Sequence, residues 1–86
     1  MQVRKRNGVL ENFDINKIAK AIYKARLDAK QSKTLAECAA EGKIVLSTLP
    51  NGGTILSIEE IQDAIEKYLL KNNEVEVFKL FTFYRE

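Results

Sequence analysis

Hydrophobic and polar positions near the start of the chain predict two short strands. Residues 1–6 and 9–13 are such segments, and they flank the pair Asn7-Gly8. An Asn-Gly pair favours a two-residue type I′ turn, because both residues tolerate a positive φ. The sequence therefore predicts an N-terminal β-hairpin with Asn7 and Gly8 at its corner.

A first amphipathic helix is predicted to follow the hairpin. Asp14 carries a side-chain oxygen that can accept from the free amides of a first helical turn, so it is the expected N-cap. Helical spacing is then followed by Ile15, Ile18, Ala19, Ile22 and Ala25 or Arg26. We expect this helix to end near Ala29, before a polar break over residues 30–33.

A second helix is predicted from the capping box formed by Thr34 and Glu37. Its apolar positions are Leu35, Cys38, Ala39, Ile44, Val45 and Leu49. Gly42 lies in the middle of this helix, where glycine is unfavourable by about 1 kcal/mol relative to alanine. We expect Gly42 to mark a close contact between helices, and residues 50–53 (PNGG) to form a loop.

The last third of the chain predicts a short strand and two more helices. The strand is expected over residues 54–56, and Ser57 with Glu60 forms a second capping box. The helix after it carries Ile58, Ile61, Ala64, Ile65 and Leu69 inward. Asn73 with Glu76 gives a third N-cap signature, opening a helix over residues 74–84 that carries Val75, Phe78, Leu80, Phe81 and Tyr84.

These elements predict an α+β fold in a single domain over residues 1–86. Four amphipathic helices joined by short loops favour a four-helix bundle. A two-stranded hairpin is only marginally stable alone, so we expect it to pack on the bundle and to recruit the short third strand. The result is a four-helix bundle covered by a small three-stranded β-sheet.

Composition narrows the classes of function. The 86 residues carry 14 Lys and Arg against 12 Asp and Glu, a formal charge of +2. This balance is too mild to favour a nucleic-acid-binding domain. There is no histidine and a single cysteine, Cys38, which we expect in the core; neither a metal site nor a disulfide is expected. No apolar run approaches a membrane span, so we expect a cytoplasmic protein with no membrane partner.

The junction between hairpin and first helix gathers the residues best suited to bind a ligand. Lys5 and Arg6 precede the turn, and Lys17 follows in the first turn of the helix, whose N-terminus also favours anions. Glu11 and Asp14 accept hydrogen bonds only, so they suit a base or sugar better than a phosphate. A nucleotide would use both the cations and the carboxylates. The alternative interpretation is that these residues form a solvated basic face without a ligand.

Four segments of the chain resemble the ATP-cone family in order and spacing. They are residues 3–8 (VRKRNG), 13–18 (FDINKI), 57–63 (SIEEIQD) and 81–85 (FTFYR). The resemblance implies an allosteric domain that binds ATP or dATP, with Mg²⁺, and a four-helix bundle covered by a three-stranded sheet. Such domains occur mostly in ribonucleotide reductases, where dATP switches synthesis off through oligomeric state, and in a transcriptional repressor of reductase genes.

The same resemblance implies roles for individual residues. Lys5, Arg6 and Lys17 would bind phosphates, Glu11 and Asp14 would lie near the base, and Val3 would form an apolar wall. Ser57, Ile58 and Gln62 would contact the base and the sugar. Phe13 is also expected to bind the nucleotide. The expected protein partner is a reductase catalytic domain or another copy of the cone.

Two further function classes remain open at this point. The chain has no Gly-x-x-x-x-Gly-Lys-Ser/Thr loop and no cluster of carboxylates for Mg²⁺, so we expect binding without catalysis. One alternative is a small nucleic-acid-binding domain that uses the run of Arg4, Lys5 and Arg6. The other is a protein-interaction domain without a ligand, and the parent protein could be a regulator of reductase genes.

Overall fold

The elements of the fold follow the predicted order. A computed structural model describes residues 2–50 and 55–85. Strands β1 (Gln2–Arg4) and β2 (Leu10–Asn12) precede helices α1 (Ile15–Asp28) and α2 (Leu35–Ser47). Strand β3 (Leu56–Ser57) leads into α3 (Ile58–Lys71), and α4 (Val75–Arg85) follows. The fold is α+β, as the sequence predicted.

Strand β1 lies at the centre of a three-stranded sheet. It pairs antiparallel with β2 and parallel with β3, giving the order β2-β1-β3. Val3 lies opposite both Glu11 and Leu56, and Val3 and Leu56 are buried against the helices. The predicted third strand is thus confirmed at Leu56, although the predicted Thr54 lies outside the described residues and the strand extends to Ser57.

The hairpin turn differs from the predicted type I′ turn. The amide of Gly8 donates to the carbonyl of Lys5, and the amide of Lys5 donates to the carbonyl of Val9, each at 2.9 Å. Gly8 has a φ of 85°, whereas Asn7 does not adopt a positive φ. A tight turn followed by a left-handed glycine is typical of a three-residue loop. The corner therefore falls on Arg6 and Asn7, one residue earlier than predicted.

The three helix starts that carry a Ser, Thr or Asp cap are confirmed. Asp14 Oδ1 accepts from the amide of Asn16 at 3.0 Å. Thr34 and Glu37 bind each other's amides in a complete capping box, and so do Ser57 and Glu60. Local side-chain chemistry therefore fixes where α1, α2 and α3 begin.

The predicted N-cap at Asn73 is wrong. Asn73 has a φ of 58° and ends α3 instead: its amide donates to Leu70 at 3.0 Å, and the amide of Glu74 donates to Leu69 at 2.8 Å. Lys30, with a φ of 61°, ends α1 by the same pattern of bonds. A left-handed residue that closes a helix in this way satisfies carbonyls that the helix leaves free.

The core contains the apolar residues predicted for the sheet and the helices, except at positions in α2 and α4 where the prediction was wrong. Buried apolar residues are Val3, Ile18, Ile22, Ala25, Cys38, Val45, Leu56, Ile61, Ile65, Leu69, Val77 and Phe81. In α2, Leu35 and Ile44 are exposed although they were expected inside, because Glu41 and Gly42 occupy the buried face. In α4, Val75 is exposed and Val77 is buried instead.

Gly42 marks a close helix contact, as predicted. A Cβ atom at this position would lie 3.3 Å from Ile18 Cγ2 and 3.7 Å from the backbone nitrogen of Ala19. The absence of a side chain therefore allows α2 to approach α1. Ile18 and Ala19 are themselves buried, so they have little room to move away from a larger residue.

Arg26 was one of the two residues predicted to continue the inward stripe of α1, but its burial as a paired charge was not predicted. This side chain is 2% exposed and donates to both carboxylate oxygens of Glu41, at 2.9 and 2.6 Å. It also donates to Gln31 at 2.6 Å and to Glu74, which connects α1 to the start of α4. Tyr68 donates to Glu41 at 2.8 Å, and burial together with this bond raises the pKa of Tyr68 to about 12.

We expect the substitution Gly42→Val to lower the free energy of unfolding by about 1–3 kcal/mol, because it overpacks the contact with Ile18. Urea denaturation followed by circular dichroism measures this change. The matched control is Ala40→Val, at an exposed position of the same helix, which should change stability by less than about 0.7 kcal/mol. Equal losses in the two variants would contradict the close approach at Gly42.

We expect the substitution Arg26→Met to destabilise the protein by about 3–5 kcal/mol, because it leaves the buried carboxylate of Glu41 without its main partner. The double variant Arg26→Met/Glu41→Leu removes that unpaired charge and should recover much of the loss. Lys20→Met, at an exposed site of α1, is the control. A loss of under about 1 kcal/mol for Arg26→Met would show that the cluster contributes little.

Candidate functional site

A small, mostly apolar cavity lies between the hairpin and the helix bundle. Its volume is about 100 Å³. The apolar lining residues are Val3, Phe13, Ile18, Ala21, Ile58, Ile61, Ile65 and Phe81, and the polar ones are Glu11, Asn12, Asp14, Lys17 and Gln62. We call this space the apolar cavity. Its surface can bury a flat ring while carboxylates are available nearby to accept hydrogen bonds.

A wider, open groove adjoins the apolar cavity. It has a volume of about 440 Å³, and it is lined by Lys5, Arg6, Asn7, Glu11, Lys17 and Ile58. We call it the basic groove, because three of its six lining residues carry a positive charge. Glu11, Lys17 and Ile58 line both spaces. One elongated ligand could therefore place a ring in the cavity and an anionic chain in the groove.

The carboxylate of Glu11 lies between the two lysines of the groove. Lys17 Nζ is 3.0 Å from Glu11 Oε1, and Lys5 Nζ is 4.0 Å from Glu11 Oε2. The hydrogen bond from Lys17 is the main cause that lowers the pKa of Glu11, and the charge of Lys5 adds to it. Strand β2 and the first turn of α1 thus bring opposite charges together at the point where cavity and groove meet.

Arg6 reaches the groove from the other side. Its Nε donates to Glu59 Oε1 at 2.7 Å, and one terminal nitrogen donates to the carbonyl of Arg85 at 3.0 Å. Neighbouring residues of a strand send their side chains to opposite faces, so only one of such a pair can face the bundle directly. Because β1 ends at Arg4, that alternation does not apply, and both side chains line the groove.

The remaining predicted residues divide into two groups. Val3, Phe13, Asp14, Ile58 and Gln62 line the apolar cavity together with Glu11 and Lys17. Ser57 lines neither space: its hydroxyl accepts from the amide of Glu60 at 3.1 Å as part of the capping box. The structure therefore brings nine of the ten predicted residues to the two adjoining spaces.

The N-terminus of α1 offers fewer free donors than its sequence position suggested. The side chain of Asp14 accepts from the amide of Asn16, and the carbonyl of Asp14 accepts from the amide of Lys17, each at 3.0 Å. These two amides are therefore already satisfied. Positive charge at the site comes mainly from side chains rather than from the end of the helix.

Sequence reasoning missed several residues of the site. Ala21, Ile61, Ile65 and Phe81 line the apolar cavity. Three of them follow helical spacing from predicted residues, since Ala21 lies four positions after Lys17, and Ile61 and Ile65 share the inward stripe of α3. That spacing was a usable signal. Nothing in the sequence pointed to the contacts that Glu59 and Arg85 make with Arg6.

Comparison with known proteins places the geometry in context. A family model described as ATP cone domain matches residues 1–86, which is the whole chain. A search of curated proteins found no significant match. The family match covers every residue that lines the apolar cavity and the basic groove. Within residues 2–50 and 55–85, no helix combines the length and the apolar character that crossing a membrane requires.

We expect the substitution Lys17→Met to raise the pKa of Glu11 toward the ordinary value of a glutamate, because it removes the hydrogen bond that holds the carboxylate in its charged form. An NMR pH titration of the Glu11 side-chain carboxyl measures the change. Lys20→Met, one turn further along α1, should leave the titration as in the wild type. An unchanged Glu11 curve in the Lys17 variant would show that this ion pair does not form in solution.

Proposed function

This chain belongs to the ATP-cone family of regulatory nucleotide-binding domains, and we propose that it binds ATP or dATP across the apolar cavity and the basic groove. The observation that carries the proposal is that the two spaces adjoin, since Glu11, Lys17 and Ile58 line both. We treat residues 1–86 as one binding unit, in which the hairpin and the helices each supply part of the site.

The apolar cavity suits the adenine base. Val3, Phe13 and Ile58 offer apolar surface for the two faces of the ring. The 6-amino group of adenine is a donor, and the carboxylates of Glu11 and Asp14 are acceptors. Guanine presents a carbonyl oxygen at the same position, which would face these carboxylates unfavourably. This difference supports selection of adenine over guanine.

The basic groove suits the triphosphate. Lys5, Arg6 and Lys17 can donate charge-assisted hydrogen bonds to phosphate oxygens. Lys17 already pairs with Glu11, but exposed ion pairs contribute only about 0.2–1 kcal/mol, so a phosphate can compete for the lysine. Among the described residues there is no group of three or more Asp, Glu, Cys or His that could hold a metal ion. We therefore propose that Mg²⁺ arrives bound to the phosphates.

The proposed role of binding is regulation of ribonucleotide reductase in the cytoplasm, without turnover of the nucleotide. A ligand shifts an equilibrium only by its different affinity for two states. We propose that the second state involves contact with a reductase catalytic domain or with another copy of the cone, and that dATP favours the inactive assembly. Phe83, 73% exposed on α4, is an apolar side chain available to such a contact.

We expect titration with MgATP or MgdATP to raise the melting temperature and to release heat in calorimetry, and GTP to do so far less. The substitution Lys17→Ala should weaken nucleotide affinity by roughly 10- to 100-fold, because one hydrogen bond between charged groups is lost. Lys20→Ala is the matched control, since Lys20 is an exposed lysine of the same helix that lines neither space. It should bind as the wild type does.

Three outcomes of this titration would contradict the proposal. A melting temperature unchanged by millimolar ATP or dATP would favour a protein-interaction domain without a ligand. Binding that is indifferent to the base and falls steeply with salt would favour nucleic acid as the partner. Wild-type affinity in the Lys17 variant would remove the phosphate assignment. Native mass spectrometry of the same samples reports whether the nucleotide changes the oligomeric state.

A further inference from the structure

Two arginines from opposite ends of the chain share the same acceptors beside the basic groove. Arg6, at the hairpin corner, donates to Glu59 Oε1 at 2.7 Å and to Gln62 Oε1 at 3.4 Å. Arg85, in the last turn of α4, donates to Glu59 Oε2 at 2.9 Å and to the same Gln62 oxygen at 3.1 Å. We call Arg6, Glu59, Gln62 and Arg85 the two-arginine cluster.

Arg6 also holds the end of α4 directly. Its terminal nitrogen donates at 3.0 Å to the carbonyl of Arg85, one of the last carbonyls of the helix, which have no partner within the helix. Arg6 lines the basic groove and also a second open space, which it shares with Glu59, Glu66, Thr82 and Arg85. The side chain of Arg6 therefore separates the groove from the C-terminal end of α4.

The contacts of Arg6 are weak enough to exchange for a ligand. The side chains of Arg6 and Glu59 are 55% and 48% exposed, and ion pairs in such positions contribute little. A phosphate offers the Arg6 guanidinium a stronger, two-pronged set of charged acceptors. Because the fork of donors is planar and rigid, turning it toward the groove withdraws it from Glu59 and from the Arg85 carbonyl together.

Arg85 is anchored independently of Arg6. Only 15% of its side chain is exposed, and it donates to Asp63 at 3.0 Å and to Glu66 at 2.7 Å. If Arg6 were withdrawn, the Arg85 side chain would therefore remain bound to Asp63 and Glu66 of α3. The carbonyl of Arg85 and the Oε1 atom of Glu59 would lose their donor. The change is confined to the last turn of α4 and the exposed start of α3.

We infer that the two-arginine cluster is a latch, which a phosphate chain in the basic groove opens by capturing Arg6, so that nucleotide binding is transmitted to the C-terminal end of α4. The inference rests on the proposed function, because it requires phosphate in the groove. It adds to that function a change at the C-terminal end of α4, away from the groove, that follows occupation of the site. Glu59 and Arg85 are positioning residues in this scheme and do not contact the nucleotide.

We expect MgATP to shift the Nε–H signals of both Arg6 and Arg85 in NMR spectra of the full chain, together with the amide signals of Glu11 and Lys17. Movement of Glu11 and Lys17 with Arg85 and the last turn of α4 unchanged would overturn the latch and leave the nucleotide site standing. If no signal moves and calorimetry detects no heat, the latch and the proposed function both fail.

A pair of variants tests the competition at Glu59. Glu59→Gln weakens the hold on Arg6 and should raise the affinity for MgATP by roughly two- to fivefold. The matched control is Asp63→Asn, which removes the same charge one turn along α3 from a residue that contacts Arg85 and not Arg6. It should leave the affinity unchanged. An equal rise in both variants, or none for Glu59→Gln, would contradict the latch.

Discussion

The pairing of β1 with two neighbours is the constraint on which the rest of the structure depends. Val3 lies between Glu11 of β2 and Leu56 of β3, so one residue aligns the hairpin with the start of α3. Because β3 runs directly into α3, the same pairing places Ile58 beside the residues of the hairpin. A hairpin without β3 would be marginally stable and free to shift over the bundle. The apolar cavity and the basic groove exist because this sheet cannot slide.

A second set of contacts fixes the direction of α1, whose first turn carries Lys17. At its other end, the buried guanidinium of Arg26 binds Glu41 of α2 and Glu74 ahead of α4. Between these ends, Gly42 lets the backbone of α2 approach α1. Buried ion pairs of this kind are weak evidence for stability but strong constraints on geometry, since each partner is costly to leave unpaired. The position of the site at the start of α1 thus depends on contacts with residues far along the chain, Glu41, Gly42 and Glu74.

Sequence reasoning succeeded for most local contacts, although it was wrong on two local features, the hairpin turn at Asn7 and the N-cap at Asn73. The cap at Asp14 depends on residues two or three positions apart, and the cluster of Lys5, Glu11 and Lys17 spans thirteen consecutive positions, 5–17. It failed where the partner is distant. Helical spacing allowed Arg26 on the inward stripe of α1, but its partners Glu41 and Glu74 lie 15 and 48 positions away, and no local pattern identifies them. The contact of Arg6 with the end of α4 joins positions 79 apart, and no local pattern reports it.

The cations of the basic groove all have protein partners in the described structure, and this has a consequence for any ligand. Lys5 and Lys17 face Glu11, and Arg6 faces Glu59. Binding of phosphate in this groove would then be an exchange of acceptors rather than the neutralisation of bare charges, so part of the interaction energy would already be present without ligand. In the proposed scheme such an exchange would lower affinity, but it would also make the occupied and empty states structurally different. For a regulatory domain such a difference matters, because a ligand with equal affinity for both states shifts no equilibrium.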